Sequence, residues 1–445
     1  MGAVSETSEV STGRFRRDAG QAGVPDGRRR RVGALKVAYF SPMPPERSGI
    51  ADYSALLLPA LHRRLDVEVV KHGDLRGGRD ADIALYHVGN SPDAHGWIVE
   101  ALRQRPGVVV LHEFVLHHLV AGLTLGRKDG EGYLGAMQRE AGVAGRLLAH
   151  GVLDGIVPPL WEIRPEDFPL AGEVLEHAAK TGLIVHSRYV GRRALASGYE
   201  GPMWRIPHPA WPPPSVEPAE VTGTPVIGSF GNVNASKRVP QLLDAFARFR
   251  EDHPAARLLL VGASSPGFDL DERLRGLELE GVQREDYVDE PRLWALMAAC
   301  DAIAVLRAPT MGETSGSAIR ALSLGVPLVV SDVGWFAELP DDVALKVPVD
   351  AHETDTLARA LELAATEPAN TAMRAAALAY VAREHALERV ADLYAAALEE
   401  AVGGGAVRDA VLGEIADAAA DVGIGADDPE AAELARRLGE VGLAG

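Results

Sequence analysis

Cysteine is almost absent from this sequence, with Cys300 alone among 445 residues. A single cysteine excludes an intramolecular disulfide and every metal site built from several cysteines. Cys300 lies between a helix-like and a strand-like segment, where we expect a small buried apolar side chain. The small secreted domains that depend on disulfides, and modules of the zinc-finger type, are therefore excluded.

Long apolar runs are lacking as well. No run of about eighteen apolar residues occurs, so no segment is suited to cross a bilayer. The N-terminus has no apolar stretch after a basic one, which argues against a secretory signal. We therefore expect a cytoplasmic protein.

Positive charge is scarce, since 45 Lys and Arg against 63 Asp and Glu give a formal net charge of −18. Surfaces that bind nucleic acid need clustered cations, so nucleic acid is not an expected partner. One basic cluster, at residues 28–31, ends a tail rich in Gly, Ser and Arg, and residues 1–32 are predicted to be a disordered leader. The cluster is interpreted as a solvated charge run, and peripheral contact with an anionic membrane stays open.

Short apolar runs alternate with amphipathic segments from Leu35 onward, which is typical of βα units on parallel sheets. The candidate strands of the first half are 35–40, 66–70, 82–88, 107–113, 182–187 and 203–208. In the second half the candidate strands are 225–231, 256–263, 302–307 and 326–332, and the candidate helices are 239–252, 289–301 and 315–325. The pattern predicts two α/β lobes.

A proline-rich segment over residues 207–224 separates the two halves. Its prolines exclude a helix interior or a central strand and favour a semi-rigid hinge. We therefore predict an N-terminal lobe over 33–206, a C-terminal lobe over 225–390, and a helical segment with an acidic tail over 391–445. Small ligands bind at the carboxyl ends of parallel strands, so the cleft between the lobes is the expected site.

The start of the second half, "FGNVNASKRVPQLL", has the pattern of an anion site. A strand runs into a Gly- and Asn-containing turn, Lys237 and Arg238 follow, and a helix begins. Cations beside a helix N-terminus bind anions. A basic pair on a surface loop is the equal alternative.

The stretch "MGETSGSAIRALSLGVPLVVSDVG" from Met311 offers a second anion site. Thr314, Ser315 and Ser317 are good helix-capping residues, and the helix start that they form is suited to a phosphate. Glu313 would accept hydrogen bonds from sugar hydroxyls at the mouth of this site. Favourable electrostatics in the first helical turn is the plainer explanation for Glu313.

The order of these motifs resembles GT-B glycosyltransferases of the family-4 group, over about residues 35–400 and most closely over 225–340. The resemblance implies two Rossmann-like lobes that close on a nucleoside-diphosphate sugar held by the second lobe. It implies transfer to a hydroxyl acceptor with retention at the anomeric carbon, without an essential metal or other cofactor. The acceptor would be a glycan, a lipid-linked sugar or a small metabolite.

The resemblance also assigns roles to individual residues. Lys237 matches a lysine that contacts the donor diphosphate, Glu313 the first glutamate of a paired-glutamate motif, and Glu338 a glutamate that often follows this motif. The predicted catalytic residues are Lys237, Arg238, Glu313 and His112. The predicted donor-binding residues are Ser48, Gly49, Gly231, Asn232, Arg307, Thr314, Ser315, Gly316, Ser317, Arg320 and Glu338.

Two departures from the family pattern concern the nucleotide. Arg320 falls where relatives have a second glutamate that binds ribose, and an arginine cannot accept hydrogen bonds. Gly231 and Asn232 replace the usual Gly-Arg, so one expected cation is missing, and Arg238 or Arg307 would have to supply that charge.

The first lobe is expected to contribute the acceptor side of the cleft. His112 ends a strand at the cleft edge, where family members often hold a sugar hydroxyl with a histidine. Glu113, His186 and Asn90 are the predicted acceptor-binding residues, with loop capping an equal alternative for Asn90. A metal site from histidines 112, 117 and 118 is disfavoured, because their spacing does not put two ligands on one helical face.

Three other functions stay open. A sugar-nucleotide epimerase of the same fold would act without an acceptor, and a phosphorylase would require inorganic phosphate. A GT-B protein that binds a ligand or partner without catalysis would explain the missing glutamate and arginine. Lys237 and Glu313 in one chain favour an enzyme. The high Ala, Gly and Arg content is typical of a GC-rich bacterial genome.

Overall fold

The computed structural model describes residues 34–46, 48–265, 270–277, 279–403 and parts of 412–440. The leader predicted over 1–32 lies outside these ranges. None of the described helices is long and apolar enough to cross a bilayer.

The first lobe is built on a parallel sheet of six strands in the order β2-β1-β3-β4-β5-β6. The strands are β1 Lys36–Phe40, β2 Asp66–Val69, β3 Ile83–Val88, β4 Val108–Leu111, β5 Leu183–Val185 and β6 Met203–Arg205. The helices are α1 Gly49–His62, α2 Pro92–Gln104, α3 His117–Thr124, α4 Gly130–Leu153, α5 Leu160–Ile163, α6 Gly172–Ala179 and α7 Arg188–Ala196. Strands β3 and β4 are buried along their whole length, which explains their continuous apolar sequences.

The second lobe is also a parallel six-stranded sheet, in the order β12-β11-β10-β7-β8-β9. Its strands are β7 Val226–Phe230, β8 Arg257–Val261, β9 Val282–Glu285, β10 Ala302–Val305, β11 Leu328–Ser331 and β12 Ala344–Val347. Its helices are α8 Val239–Asp252, α9 Leu270–Leu277, α10 Glu290–Ala298, α11 Gly316–Ser323, α12 Glu353–Ala365 and α13 Ala369–Glu384. The strand order reverses between β7 and β10, and ligands bind at such reversals in open α/β sheets.

The predicted class, two α/β lobes on parallel sheets, is confirmed. Every strand expected from an apolar run is present, with shorter limits. Strands β9 and β12 were not expected: β9 has a single apolar residue, Val282, and the four residues of β12 are interrupted by Lys346, so neither presents a long apolar run.

The C-terminal part of the chain returns to the first lobe. Residues 207–224 have no helix or strand, and helix α14 (Leu387–Gly403) packs against α1 beyond them. The hydroxyl groups of Tyr53 and Tyr394 are hydrogen-bonded at 2.7 Å, and Arg64 Nε donates to Asp392 at 2.6 Å. The boundary predicted at 391 therefore falls inside a helix that completes the first lobe's core. A further helix, α15, spans Pro429–Glu440.

Candidate active site

The loops that follow the central strands of the two sheets touch each other. Phe114 N and Val115 N, just after β4, donate to the carbonyl of Met311, in the loop after β10, at 2.7 and 3.0 Å. Two backbone bonds to one carbonyl fix the strand ends of the first lobe against those of the second. Side chains from both sheets therefore face one cleft.

Lys237 lies at the carboxyl end of β7. Its half-buried side chain donates from Nζ to the carbonyl of Phe230 at 3.1 Å. A Cβ built on Gly231, where φ is +100°, would come within 2.8 Å of Nζ and 3.7 Å of Ser317 Oγ. The ammonium therefore lies between the glycine turn and the first turn of α11, at the reversal point of the sheet.

The pKa of Lys237 is lowered to about 7, mainly by burial and also by the nearby Arg307, while Glu313 opposes the shift. At neutral pH the free protein thus holds this amine between its charged and neutral forms. An anion bound beside Nζ would favour the charged form and raise the pKa again.

Arg307 and Glu313 form an ion pair beside Lys237. Arg307 Nε lies 2.5 Å from Glu313 Oε1, and Glu313 Oε2 accepts from the backbone N–H of Met311 at 2.8 Å and from Thr310 Oγ1 at 3.3 Å. Glu313 therefore orders its own loop and orients Arg307. A carboxylate offers about four acceptor positions, so one position on Oε1 stays available to a ligand hydroxyl.

The start of α11 is capped in the way the sequence indicates. Ser315 Oγ accepts from Ala318 N at 3.3 Å, and the hydroxyl of Thr314 is enclosed without a partner. Asn232 is exposed at the turn after β7. In the first lobe, Ser48 Oγ accepts from Ile50 N at 3.2 Å, and, apart from its chain neighbours and its own helix backbone, no atom of the described residues lies within 4 Å of the Cβ position of Gly49. The structure therefore leaves open space beside the glycine loop at the start of α1.

Arg238 is not free to act on a ligand. Its guanidinium donates two hydrogen bonds to the carboxylate of Glu353, whose side chain is only 3% exposed. The charge of Arg238 is already neutralised by this partner on α12, which is at odds with the predicted catalytic role. Arg307 is the cation that accompanies Lys237.

Arg320 joins the second lobe to the first. Its guanidinium carbon lies 3.7 Å from the ring centroid of Trp211 in the segment between the lobes, and Nη2 lies 3.4 Å from Asp52 Oδ2 on α1. Glu290 lies 4.0 Å from the same nitrogen, and Arg320 is 9% exposed. The arginine in the middle of α11 therefore makes a contact between lobes, with its Nη1 3.7 Å from the Cβ position of Gly316.

Glu338 also bridges the lobes. Its two carboxylate oxygens accept from the backbone N–H groups of Arg188 at 3.0 Å and Tyr189 at 2.5 Å, at the start of α7. Negative charge at a helix N-terminus is favourable. The carboxylate predicted to bind the donor is thus used to cap a first-lobe helix, which argues against that role.

Glu113 follows β4 and approaches the Glu313 carboxylate across the cleft. The pKa of Glu113 is raised to about 8, mainly by burial and also by the negative charge of Glu313, while Arg307 and the backbone of Asn90 oppose the rise. Glu113 therefore carries its proton at pH 7. The side chain of Asn90 accepts from Leu119 N at 3.0 Å, which favours the loop-capping role left open for it.

Buried histidines surround Tyr53 at the carboxyl edge of the first sheet. The ring centroids of His112 and His208 each lie 4.8 Å from that of Tyr53, and His186 lies at 5.3 Å. His87 donates to or accepts from His112, with 2.9 Å between Nδ1 of His87 and Nε2 of His112. Burial lowers the pKa of all four, to about 4 for His186.

Sequence reasoning singled out His112 and His186 and missed His87 and His208. The available signal was that each of the four follows or ends an apolar strand of one parallel sheet, so that all lie at one edge. Among the described residues, no group of three or more His, Cys, Asp or Glu side chains is arranged to hold a metal ion. His117 is used structurally, since its nitrogens meet the carbonyl of Phe168 at 2.8 Å and the hydroxyl of Tyr133 at 2.9 Å.

This architecture and part of the sequence are similar to those of known proteins. Residues 224–366 match the model of the family described as glycosyl transferases group 1. AviGT4, a glycosyltransferase involved in avilamycin A biosynthesis, is 19% identical, with 83% of this chain and 99% of that one covered and a TM-score of 0.51. Anabaena HepE, solved with UDP and glucose, is 16% identical over 82% of this chain and 100% of that one, with a TM-score of 0.55.

A third structure is the sucrose-phosphate synthase of Thermosynechococcus elongatus, 17% identical over 81% of this chain and 97% of that one, with a TM-score of 0.56. No curated protein matches the chain in sequence. The structural likenesses show the GT-B fold, and the family match covers the lobe that holds Lys237, Arg307 and α11. The chain therefore has the GT-B fold, and its residues 224–366 resemble glycosyl transferases group 1.

Proposed function

We propose that the protein is a retaining transferase of the family-4 type, which moves a hexosyl-type sugar from a nucleoside-diphosphate sugar to a hydroxyl of a glycan, a lipid-linked sugar or a small metabolite. The observation that carries the proposal is the position of Lys237. Its ammonium lies between the turn after β7 and the first turn of α11, where the strand order reverses. A diphosphate there would meet a cation and the N–H groups of a helix start.

The charge that develops during the transfer lies on the departing diphosphate, so cations and N–H donors should stabilise it. Lys237 and Arg307 are the cations at this point, and an incoming diphosphate would return Lys237 to its charged form. The likeness to HepE, whose structure contains UDP and glucose, supports the choice of a nucleoside-diphosphate sugar as donor.

The carboxyl groups of Glu113 and Glu313 in the cleft do not resemble a catalytic nucleophile and its acid–base partner. Glu113 is protonated at neutral pH, and Glu313 is paired with Arg307. We therefore infer retention without a covalent glycosyl-enzyme, with the departing phosphate taking the acceptor proton. Contact between the lobes would keep water away from the donor.

In this proposal, each lobe binds a different part of the substrates. The donor occupies the lobe over 225–390, with Lys237, Arg307 and the α11 start on its diphosphate. The acceptor and the transferred sugar lie against the lobe over 33–206, near His112 and Glu113. His186 is enclosed behind His112 and would act through packing.

The test is a transfer assay with a panel of nucleoside-diphosphate sugars and hydroxyl acceptors, with products identified by mass spectrometry and the anomeric proton coupling read by NMR. We expect a glycoside of unchanged anomeric configuration and release of the nucleoside diphosphate only when acceptor is present. Conversion of the sugar nucleotide to an isomer without acceptor would establish the epimerase alternative instead. An inverted product would refute retention.

A further inference from the structure

The pair His87 and His112 links two neighbouring strands at the acceptor side of the cleft. His87 lies in β3, paired with Val110 of β4, and His112 follows β4 directly. Nδ1 of His87 lies 2.9 Å from Nε2 of His112, so one of these nitrogens donates a proton to the other. Burial lowers the pKa of both rings below the usual range, so both are neutral at pH 7. A neutral imidazole carries one proton, and its position decides what His112 can do.

The surroundings of His87 settle which nitrogen carries the proton. Its Nε2 is enclosed and has no hydrogen-bond partner in the part of the chain that the structure describes. A buried N–H without an acceptor is rare and costly, whereas an enclosed lone pair is tolerated more readily. The proton of His87 therefore belongs on Nδ1, from which it is donated to Nε2 of His112.

Two other histidines of the same protein show this arrangement independently. His186 Nδ1 meets the carbonyl of Ile206 at 2.8 Å, and His385 Nδ1 meets the carbonyl of His208 at 2.7 Å. A carbonyl only accepts, so both histidines must carry their proton on Nδ1. Their Nε2 atoms are enclosed without a partner, as in His87. An enclosed Nε2 lone pair therefore recurs among the buried histidines at and beside this sheet edge.

The hydrogen bond from His87 determines which nitrogen of His112 carries the proton. Its Nε2 accepts from His87, so the single proton of the neutral ring lies on Nδ1. His112 is 8% exposed and precedes Glu113, which approaches the second lobe. The group that His112 can offer to a ligand is thus an N–H donor.

We propose that His87 is a positioning residue that holds His112 in its Nδ1–H tautomer, so that His112 donates a hydrogen bond to a substrate oxygen and does not act as a base. The inference rests on the proposed function for the nature of the ligand. The oxygen belongs to a hydroxyl of the transferred sugar or of the acceptor, because a hydroxyl oxygen can accept a hydrogen bond from the N–H of His112. The catalytic role predicted for His112 becomes one of binding and orientation.

Two variants at position 87 distinguish the loss of the hydrogen-bond donor from the loss of the aromatic ring. His87→Asn places an amide N–H near the position of Nδ1, whereas His87→Phe keeps an aromatic ring and removes the donor. Without this donor His112 can exchange between its two tautomers. We expect His87→Phe to lower kcat/KM by about 3- to 10-fold, the value of one neutral hydrogen bond, and His87→Asn to restore most of it.

At position 112, the loss of activity should depend on where the amide of the substituted side chain lies. His112→Asn keeps a donor near Nδ1 and should retain more activity than His112→Gln, whose amide lies near Nε2. The loss should be carried mainly by KM, since the hydrogen bond forms in the bound ground state. Unfolding midpoints of all four variants identify any that fail through loss of folding.

The direct readout is the imidazole ¹⁵N spectrum of histidine-labelled protein, with the His112 signals assigned by their absence in His112→Asn. We expect a neutral ring protonated on Nδ1 in the wild type and a mixture of tautomers in His87→Phe. A wild-type His112 protonated on Nε2 would overturn the inference.

The spectrum does not depend on turnover, so the inference and the proposed function fail separately. If the tautomer is as expected but His87→Phe and His112→Gln transfer sugar at the wild-type rate, His112 does not contact substrate and the inference is refuted, while the proposed function stands. If no donor supports transfer at all, the proposed function fails and the spectrum still decides the tautomer.

Discussion

The two edges of the cleft have the same secondary structure and opposite chemistry. The edge of the first sheet presents neutral rings, namely histidines and a tyrosine whose charged forms are suppressed by burial. The edge of the second sheet presents Lys237, Arg307 and Glu313 around a helix start. Neither edge is dictated by the fold, since both sheets are parallel and six-stranded.

Under the proposed function, this difference assigns the two parts of a transfer reaction to the two lobes. A neutral edge orients hydroxyl groups without selecting for charge, whereas a cationic edge attracts a diphosphate and stabilises it as a leaving group. The residues that join the edges, Arg320 and Glu338, are a third group whose charges are used between the lobes. The following predictions test this division, beginning with the largest expected effect.

The strongest test removes the charge of the second edge. Lys237→Ala should lower kcat/KM by about 10²- to 10³-fold, because one preorganised donor to the developing charge is lost. Steady-state kinetics with a fixed donor measure the effect. Lys346→Ala is the matched control, since Lys346 lies on the edge strand β12 and its Nζ pairs with Asp341 at 2.5 Å, and it should leave the rate unchanged. Equal rates for both variants would contradict the assignment of the second edge.

The neutral edge should make the protein sensitive to acid. His385 supports this edge through His208, and burial lowers its pKa to about 4 from a usual value near 6.5. Between these values the unfolded state binds the extra proton, so the free energy of unfolding should fall as pH decreases from 6.5 to 4, by up to about 1.4 kcal/mol per pH unit for this one histidine.

Denaturant unfolding at several pH values measures that slope. His385→Asn, which keeps a donor to the carbonyl of His208, should reduce the slope of the unfolding free energy against pH by up to about 1.4 kcal/mol per pH unit, the contribution of one proton. His62→Gln, at an exposed position, serves as the control. A slope that is the same in His385→Asn as in the wild type would show that His385 does not titrate as described.

The contact between the edges should depend on Glu338. In Glu338→Gln the side chain loses its negative charge at the start of α7, so closure should weaken by about 1 kcal/mol and kcat/KM should fall several-fold. The radius of gyration from small-angle scattering should rise. Glu173→Gln, which breaks an ion pair with Arg103 inside the first lobe, is the control. An unchanged radius and rate in Glu338→Gln would exclude this contact from the closed form.

Donor binding should also depend on pH. Lys237 has a pKa of about 7 in the free protein, and a bound diphosphate raises it, so binding takes up a proton. The affinity for a nucleoside diphosphate should therefore fall as pH rises above 7, by up to about tenfold per pH unit. Calorimetric titration at pH 7 and 8.5 measures the change. A wild-type dependence identical to that of Lys237→Ala would contradict it.

The sequence predicts the lobes and the second edge better than the first. Lys237 follows from a local pattern of strand, glycine turn and helix, which is readable within about a dozen residues. The roles of Arg238 and Glu338 depend on Glu353 and on the start of α7, 115 and 149 or more positions away. No local pattern indicates such partners, so a charged residue beside a motif is easily mistaken for a ligand-binding one.

The histidine edge illustrates the same limit. Each histidine ends or follows an unremarkable apolar strand, and only the order of strands in the sheet brings them together. Arg320 departs from the family pattern in sequence, and its contacts with Trp211 and Asp52 supply a physical reason for an arginine there. Edge strands β9 and β12 escaped prediction because each has only four residues and neither presents a long apolar run.

The central claim, that the charged second edge binds the diphosphate of a nucleotide donor, is tested most directly by thermal unfolding with UDP, ADP, GDP, CDP and dTDP. A ligand that binds only the folded state raises the unfolding midpoint. We predict a rise with at least one of these nucleotides in the wild type and none in Lys237→Ala, whose midpoint without ligand serves as the folding control. No rise with any nucleotide, or an equal rise in both proteins, would contradict the claim.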